Sequence, residues 1–553
     1  MAIGDVFRDF ANWSTVGGVP HIANARTWIV RLFWTIVVLL LLSIFIYQLY
    51  LMIKQFIEFP SIVNTDILVQ AQIFPAVTIC NLNPYKASTS NAFISELKSF
   101  MVHYEEVVDE TATVDTFGLM NQPTTYDRDA RARDAVNMIA AKYTTADKEI
   151  AMYQFEEMIA DCTFNGVTCD TSEFTTMVDP VFGRCFTYNN LVNSTKSVSR
   201  AGKTYGLRML ITVRQTDTDN TDNLFLPTSN LAGAKVAVHS PGEYPNLEGT
   251  ALTVGVGYTT AVAITTAEYK LSKKPYGDCV DREAADRDYY KTFKYNSLTC
   301  YNGCRQRDTM AKCSCYNPRY LAPDGATFCP PTKQNVDCLD TLKGDQASDT
   351  QPNMNPLEDC GCQPPCQEST FALTTSLSQF PTDGYTVVAD SENGTAQSLG
   401  SCTEDNSVFD DVATCEDWYA NNALQLQVFY ETMRSEKYTE ESSYGISAMV
   451  NDLGGQAGLY LGLSIISCVE VVGLFFMLCC FCCSGGKVMV KPHGEEFEKD
   501  HRIREVEDLR RMLDDHDSLD KKEKQMKNKD MDDDDDEKPK EAKNAESPKK
   551  TTT

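Results

Sequence analysis

A carboxylate lies inside an otherwise apolar stretch near the carboxyl end of the chain. Glu470 is the one charged residue between Gly454 and Cys483, and it follows Gly462-Leu463-Ser464 by six residues. An ionisable side chain in a membrane is costly and usually faces a cavity or an ion path. Glycines let a helix unwind, and unwound carbonyls with a serine hydroxyl can replace part of the hydration shell of a cation. Close helix packing through small residues also explains the glycines, so the cation path is a hypothesis at this point.

Two stretches are long and apolar enough to cross a membrane. The first has 22 residues without a charge, from Leu32 to Ile53, and at about 1.5 Å per residue it spans a hydrocarbon core of about 30 Å. A signal peptide fits it poorly, because 31 residues precede it and no small-residue cleavage site follows. We predict transmembrane helices at 32–53 and 451–483. Two helices cannot enclose an ion path, so an oligomer whose second helices line the axis is required.

The cysteines assign a side to the segment between the two stretches. Sixteen of the 21 cysteines lie there, from Cys80 to Cys415. An even, dense set indicates a disulfide framework in an oxidising compartment. Two glycosylation sequons, at Asn193 and Asn393, fall in the same segment. We therefore expect residues 54–450 to be extracellular and both termini to be cytosolic.

Charge and composition exclude several classes of protein. The formal net charge is −27, and residues 54–453 hold 53 acidic and 30 basic side chains. An acidic vestibule concentrates cations, although a solvated secreted surface would have the same composition. No basic domain favours nucleic-acid binding, and no catalytic motif indicates an enzyme. The segment 1–31 is a short cytosolic lead, and the dense charge of residues 484–553 predicts a largely disordered cytosolic tail.

The residue patterns between the two stretches predict a mixed domain. Strands are predicted at Phe74–Cys80, across much of 180–270, and at Leu424–Tyr430, whereas residues 91–160 have a helical composition. Residues 279–366 contain ten cysteines, so disulfides rather than a large core stabilise this part. The predicted fold class is an α+β extracellular domain with one central antiparallel sheet and a disulfide-rich helical part.

Three features together resemble the degenerin/epithelial sodium channel family, which includes acid-sensing and peptide-gated channels. They are Phe74–Asn83 (FPAVTICNLN), Gly454–Ser464 (GGQAGLYLGLS), and the cysteine ladder between them. The resemblance covers about residues 10 to 485. It implies a homotrimeric or heterotrimeric, amiloride-sensitive sodium channel in the plasma membrane, surrounded by lipid and without a metal or cofactor. Calcium is left open as a second permeant ion or a blocker.

The resemblance also implies roles for single residues. In the family's cytosolic His-Gly segment, which affects opening, Gly17 replaces the histidine while Gly18 and His21 remain. The other implied roles are a selectivity filter at Gly462, Leu463 and Ser464; an inner-pore acid at Glu470; an outer mouth and gate at Asn451 and Asp452; and a wrist residue, Tyr276, that couples the extracellular domain to the pore.

The cysteine ladder implies a definite connectivity by resemblance, since spacing alone does not give one. Zinc binding at Cys313-x-Cys315 or Cys360-x-Cys362 is the alternative, but a one-residue spacing is poor for zinc. The implied pairs are Cys80–Cys185, Cys162–Cys169, Cys279–Cys366, Cys300–Cys362, Cys304–Cys360, Cys313–Cys338 and Cys315–Cys329, and we pair the remaining Cys402 with Cys415.

The activating stimulus stays open. Only two histidines, His103 and His239, lie in the extracellular segment, so acid sensing would fall largely to carboxylates, at 105–110 or 281–288, whose simpler explanation is solvated helix faces. A short peptide ligand, a bile-acid-like amphiphile, mechanical load and constitutive opening are further possibilities. Palmitoylation of Cys479, Cys480, Cys482 and Cys483 is weighed against free thiols.

Two other kinds of membrane protein share part of this plan. An ATP-gated trimer would carry a lysine-bearing nucleotide site near the first span and a different cysteine ladder. A non-conducting adhesion or signalling receptor would need neither Glu470 nor a broken Gly-x-Ser helix.

Overall fold

The structure is a computed structural model that forms two units, residues 1–54 with 446–553, and residues 55–445. It describes residues 7, 10–89, 91–115, 117–120, 122–191, 195–218, 223–282, 289–321, 325–343, 359–389, 399–483, 506, 509, 510, 513 and 521. The sequons at Asn193 and Asn393, and nearly all of the predicted tail, lie outside these residues.

The helices are α1 (Val19–Ala23), α2 (Trp28–Ile57), α3 (Ala92–Val108), α4 (Thr125–Ala140), α5 (Thr145–Glu149), α6 (Phe155–Met158), α7 (Ser297–Cys313), α8 (Lys333–Lys343), α9 (Val412–Asn422), α10 (Ile446–Leu461) and α11 (Ile465–Cys483). The strands are β1 (Ser61–Val69), β2 (Gln72–Ile73), β3 (Ala76–Asn81), β4 (Ile159–Phe164), β5 (Val167–Thr168), β6 (Phe174–Asp179), β7 (Gly183–Tyr188), β8 (Ser197–Val198), β9 (Leu207–Thr212), β10 (Gly233–His239), β11 (Leu252–Gly255), β12 (Tyr258–Lys270), β13 (Gln367–Gln379) and β14 (Ala423–Ser442).

One described helix is long and apolar enough to cross a membrane by itself. This is α2, which has 30 residues and extends beyond the predicted 32–53 at both ends. It contains neither proline nor glycine, so nothing in its sequence interrupts the helical hydrogen bonds. The second apolar stretch passes the same test only when α10 and α11 are taken together, and these two helices are bent by 79° at a short break.

The strands within residues 55–445 form two main sheets. The first has seven strands in the order β13-β12-β14-β9-β4-β5, with β1 also paired to β14, and the second has five in the order β11-β10-β3-β7-β6. The prediction of one central antiparallel sheet is therefore wrong in number. It is also wrong in direction, because β12 and β14 are parallel, with Thr259 opposite Gln425. The strand β13 is antiparallel to β12, so the last residue of β13 lies beside the first residue of β12. The strand β14 also starts beside the first residues of β12, and it therefore runs in the same direction as β12.

The apolar alternation of the strands builds the larger core. Phe74, Ile79, Tyr188, Ile264 and Leu426 are almost fully buried in one cluster drawn from both sheets. A second cluster joins α3 to α4 through apolar side chains such as Phe93, Leu97 and Ile139. The two cores hold the sheets and the helices α3 and α4 together within the unit of residues 55–445.

Eight disulfides cross-link the unit of residues 55–445. They are Cys80–Cys185, Cys162–Cys169, Cys279–Cys366, Cys300–Cys362, Cys304–Cys360, Cys313–Cys338, Cys315–Cys329 and Cys402–Cys415. The first seven are the pairs that the family resemblance implies, and the eighth joins the two cysteines that were left. The cysteines of the zinc alternative are all bridged, and a bridged cysteine has no thiolate to offer a metal.

His239 is a buried histidine at the end of β10. A backbone carbonyl can only accept, so Nδ1 donates to the carbonyl of Ser240 at 3.0 Å. The other ring nitrogen, Nε2, then accepts from the hydroxyl of Thr78 at 2.7 Å. Burial disfavours the charged ring and lowers the pKa of His239 from 6.5 to about 4.

We expect this histidine to make the unit of residues 55–445 less stable in acid. The unfolded chain takes up the proton near pH 6.5, whereas the folded chain resists it until about pH 4. Stability is therefore lost as the pH falls through this window, by up to about 3 kcal/mol. Thermal unfolding of the purified chain between pH 7.5 and 4 should show a smaller loss for His239→Gln than for the wild type. His103→Gln is the control, at a partly buried position of α3 where the ring lies 3.7 Å from Glu106. A loss of equal size in all three proteins would contradict the assignment.

Candidate functional site

The helix break at 462–464 is made by one glycine in a left-handed conformation. Gly462 has φ +62°, a region that residues with a side chain rarely adopt. Its amide donates to the carbonyl of Gly458 at 3.1 Å, and the amide of Leu463 donates to Ala457 at 3.2 Å, which completes the end of α10. The chain then turns by 79° into α11. The break between α10 and α11 therefore lies at the predicted triplet, Gly462-Leu463-Ser464.

Ser464 begins the second half of the broken helix. Its hydroxyl accepts from the amide of Ser467 at 3.2 Å, and the hydroxyl of Ser467 accepts from the amide of Ser464 at the same distance. This reciprocal pair provides acceptors for two amides that would otherwise have no hydrogen-bond partner at the start of α11. Ser467 is fully buried. The serines therefore fix the start of α11 at Ile465, two residues after Leu463.

The N-terminal segment folds back onto the break. The amide of Gly17 donates to the carbonyl of Leu461 at 3.0 Å. A Cβ on Gly17 would lie 2.8 Å from that carbonyl oxygen, and one on Gly462 would lie 3.3 Å from the Gly17 backbone. The two backbones therefore meet through two glycines. This contact gives Gly17, the departure from the family's histidine, a structural role in this chain, because no side chain fits there without displacing α10.

Gly18 and His21 fix the same segment against α2. Gly18 has φ +83°, and a Cβ there would lie 2.4 Å from Cγ2 of Val38. The ring of His21 stacks on that of Trp34, with 4.5 Å between centroids. Phe10 is buried against Leu474 of α11. The segment is thus held by both membrane-type helices of its unit.

Glu470 is bound by the N-terminal segment. One oxygen, Oε2, accepts from the amide of Thr15 at 2.8 Å, from the hydroxyl of Thr15 at 3.1 Å, and from the hydroxyl of Ser14 at 3.4 Å. The Thr15 hydroxyl also lies 2.7 Å from that of Ser467. The carboxylate is therefore half-buried, and Oε2 has hydrogen-bond donors from the N-terminal segment. These bonds offset the cost of removing the charge from water, which explains how an apolar helix can contain it.

The sequence did not predict this pairing. Ser14 and Thr15 were outside the candidate residues, although only Val16 separates Thr15 from Gly17. They are separated from Glu470 by about 455 positions, and no local pattern links segments so far apart. Adjacent hydroxyl residues before a glycine pair, in a chain with one membrane carboxylate, are the signal that could have suggested it.

The remaining candidate residues lie apart from the break. Asn451 and Asp452 are exposed on α10, about ten residues before Gly462 and so roughly 15 Å along the helix. Tyr276 belongs to the unit of residues 55–445. Its ring packs edge to face against that of Phe59, with 5.5 Å between the ring centroids. The structure thus joins Gly17, Gly462 and Glu470 in one site and leaves the gate and wrist positions outside it.

The carboxylate runs considered for acid sensing are mostly on the surface. Glu105, Glu106, Asp109 and Glu110 are exposed at the end of α3. Asp281 is exposed beside Lys273, and residues 283–288 lie outside the described part. The exposure at α3 agrees with a solvated helix face.

Comparison with known proteins supports the same reading of the chain. A family model described as "Amiloride-sensitive sodium channel" matches residues 10–474. The "Degenerin-like protein asic-2" of Caenorhabditis elegans is 46% identical over 525 residues, which is 94% of each chain. "Degenerin deg-1" of the same organism is 31% identical over 383 residues, covering 67% of this chain and 46% of the relative, so this chain spans less than half of that longer protein.

A solved structure of a proton-activated chloride channel aligns with 80% of this chain and 97% of its own, at a TM-score of 0.26 and 6% identity, which is too weak a likeness to carry an argument. The family model, in contrast, extends from the N-terminal segment into α11. The chain therefore belongs to the amiloride-sensitive sodium channel family, as a cation channel subunit of the plasma membrane.

Proposed function

We propose that the chain is one subunit of a trimeric, sodium-selective channel that amiloride blocks and that an extracellular stimulus opens. The observation that carries this proposal is the break at Gly462 with the N-terminal segment bonded to it and to Glu470. In this arrangement α2 and the α10–α11 pair cross the membrane, and both termini are cytosolic.

The need for neighbouring subunits follows from exposed apolar side chains at the break. Leu459 on α10 is 77% exposed and Ile465 on α11 is 85% exposed in the single chain. Lipid or other subunits must cover such residues, and one bent helix cannot enclose an aqueous path. Three identical or related subunits around an axis would place three breaks at one level.

The filter would use the groups that the break leaves free of helical bonding. The carbonyls of Gly462 and Leu463, with the hydroxyl of Ser464, are the oxygens that can replace water around a sodium ion. Glu470 lies one and a half turns further along α11 and would add negative charge below the filter. Whether calcium permeates or blocks the channel is tested by the currents measured under voltage clamp.

Coupling to the stimulus would run through the wrist. Tyr276 and Phe59 form an aromatic pair worth about 0.5–1.5 kcal/mol beyond the area that they bury. Phe59 lies two residues after the end of α2, so the chain itself would link the Tyr276 loop to that helix. Asn451 and Asp452 would then part at the outer mouth. The bulk of Asn451, at a position where relatives usually have a smaller residue, favours basal opening.

Expression of the chain alone under voltage clamp tests the proposal. We expect an inward sodium current that amiloride blocks, either evoked when the external pH is stepped from 8 to 4 or present already at pH 7.5. A current evoked by acid would assign the sensor to carboxylates, because His239 stays neutral above about pH 4. A steady current would instead assign basal opening to Asn451 and Gly17.

The contradicting result is also defined. Surface protein that carries no cation current, either alone or together with related subunits, under acid or a peptide stimulus, would contradict the proposal. It would favour a non-conducting receptor.

A further inference from the structure

The free cysteines of the chain all lie in α11. The sixteen cysteines of residues 55–445 are bridged, whereas Cys468, Cys479, Cys480, Cys482 and Cys483 are free thiols. Four of the five fall within the last turn and a half of the helix. In the topology of the proposed function, on which this inference rests, that end of α11 is cytosolic, where a reducing compartment keeps thiols unbridged.

The spacing of the four cysteines brings one pair of thiols together. Residues i and i+4 of a helix are neighbours on its surface, with about 5–6 Å between their Cβ atoms. Cys479 and Cys483 have this spacing, and their thiols are in hydrogen-bond contact. Both side chains are exposed, so the pair is open to an ion in solution. Cys480 and Cys482 are two residues apart, and residues with that spacing do not face each other.

The number of ligands selects among metal ions. Within the residues that the structure describes, no group of three or more histidine, cysteine, aspartate or glutamate side chains is placed to hold a metal ion. A structural zinc site takes four such ligands, so a pair of thiols is poorly suited to zinc. Copper(I) is a soft ion that thiolates select, and two thiolates on opposite sides of it complete a linear complex. The pair at the end of α11 therefore matches copper(I).

We propose that Cys479 and Cys483 bind one copper(I) ion between their sulfur atoms. Each thiol releases its proton to the solvent, two Cu–S bonds form, and the copper stays monovalent, so the bound group carries one negative charge. The ion then links two residues that lie about one turn apart at the end of α11.

The copper site includes no residue of the helix break and none of the N-terminal segment that contacts it. Its test is therefore metal binding rather than current. A chain that binds no copper(I) can still conduct, and a chain that carries no current can still bind copper(I), so the two proposals fail separately.

The experiment titrates the purified, reduced full chain in lipid nanodiscs with copper(I) under anaerobic conditions. Bicinchoninate, whose copper(I) complex is coloured, competes for the metal, so binding by the chain is read as loss of colour. We expect the chain to withdraw one copper(I) ion. Free thiols are mostly protonated near neutral pH and binding releases two protons, so the affinity should rise by up to about a hundredfold between about pH 6.5 and 7.5.

Two double variants give a matched comparison, because each removes two thiols from the same helix end. Cys479→Ser with Cys483→Ser should weaken binding by at least about tenfold, since the two remaining thiols do not face each other. Cys480→Ser with Cys482→Ser leaves the facing pair intact and should keep the affinity within about twofold of the wild type. Cys468→Ser, about three turns earlier in α11, should have no effect.

The proposal is overturned if the reduced chain withdraws no copper(I) from bicinchoninate, or if its affinity does not change with pH. It is equally overturned if the two double variants bind copper(I) alike, or if Cys468→Ser weakens binding as much as the loss of Cys479 and Cys483.

Discussion

Replacing Glu470 with glutamine is expected to reduce the preference for sodium over potassium that we propose for this channel by about tenfold. The carboxylate accepts two well-formed hydrogen bonds from Thr15, at 2.8 and 3.1 Å. Neutral acceptors form bonds about half as strong as charged ones, so each subunit loses about 1.5–3 kcal/mol of the interaction that docks its N-terminal segment. A looser segment no longer fixes the carbonyl of Leu461, and the geometry of the break relaxes. The permeability ratio is read from the reversal potential when external sodium is exchanged for potassium.

A second substitution shows whether Glu470 acts through Thr15. Thr15→Val keeps the branched shape and the backbone amide but removes the hydroxyl, so we expect a smaller fall, of about threefold. Combined with Glu470→Gln it should add little, because the two side chains share one interaction. Independent, multiplying effects would contradict the pairing, as would a wild-type reversal potential in Glu470→Gln at normal surface density. Glu431→Gln, at an exposed position of β14, is the control for charge alone.

Replacing Gly462 with alanine is expected to lower the current at least tenfold without removing the protein from the surface. A side chain in the left-handed region costs about 1–2 kcal/mol, and the new Cβ would lie 3.3 Å from both the nitrogen and the Cα of Gly17. Both effects act on the bend itself, so the break shifts or the N-terminal segment separates from it. The measurement is whole-cell current divided by surface protein.

A glycine in the same apolar stretch provides the control. Gly473 lies within α11, and a Cβ there would meet no atom within 4 Å in the single chain. Alanine is the better helix former by up to about 1 kcal/mol, so Gly473→Ala should leave the current near the wild-type level. Equal currents in Gly462→Ala and Gly473→Ala would show that the left-handed glycine is not needed.

Local patterns in the sequence predicted the elements better than their arrangement. The uncharged run at 32–53 became the centre of α2, and the alternating residues near 234–239 became β10. In β14 the prediction reached only Leu424–Tyr430, the buried half. The other half is polar and charged and pairs with β1, so it lacks the apolar alternation that identifies a strand.

The sheet arrangement and the site needed long-range information. Two sheets share one core, and their strands give the same alternation as one sheet would, so the number of sheets could not be read from the pattern. Glu470 was identified because a charge is unusual in an apolar stretch, and Gly462 because it matches the family's Gly-x-Ser triplet. The contacts of Ser14, Thr15 and Gly17 were not predicted, because they join segments far apart in the chain. Seven disulfide pairs came from family resemblance and the eighth joined the cysteines that were left, since spacing alone leaves many pairings open.

The most direct test of the account is cadmium block of Ser464→Cys. If three copies of residue 464 surround the ion path at its narrowest point, three thiolates can coordinate one soft divalent ion. We expect micromolar external cadmium to block the Ser464→Cys current, while the wild type, which carries Cys468 four residues further along, and Leu459→Cys stay conducting. Unchanged current in Ser464→Cys, or equal block of all three channels, would place the ion path away from Gly462-Leu463-Ser464 and contradict the account.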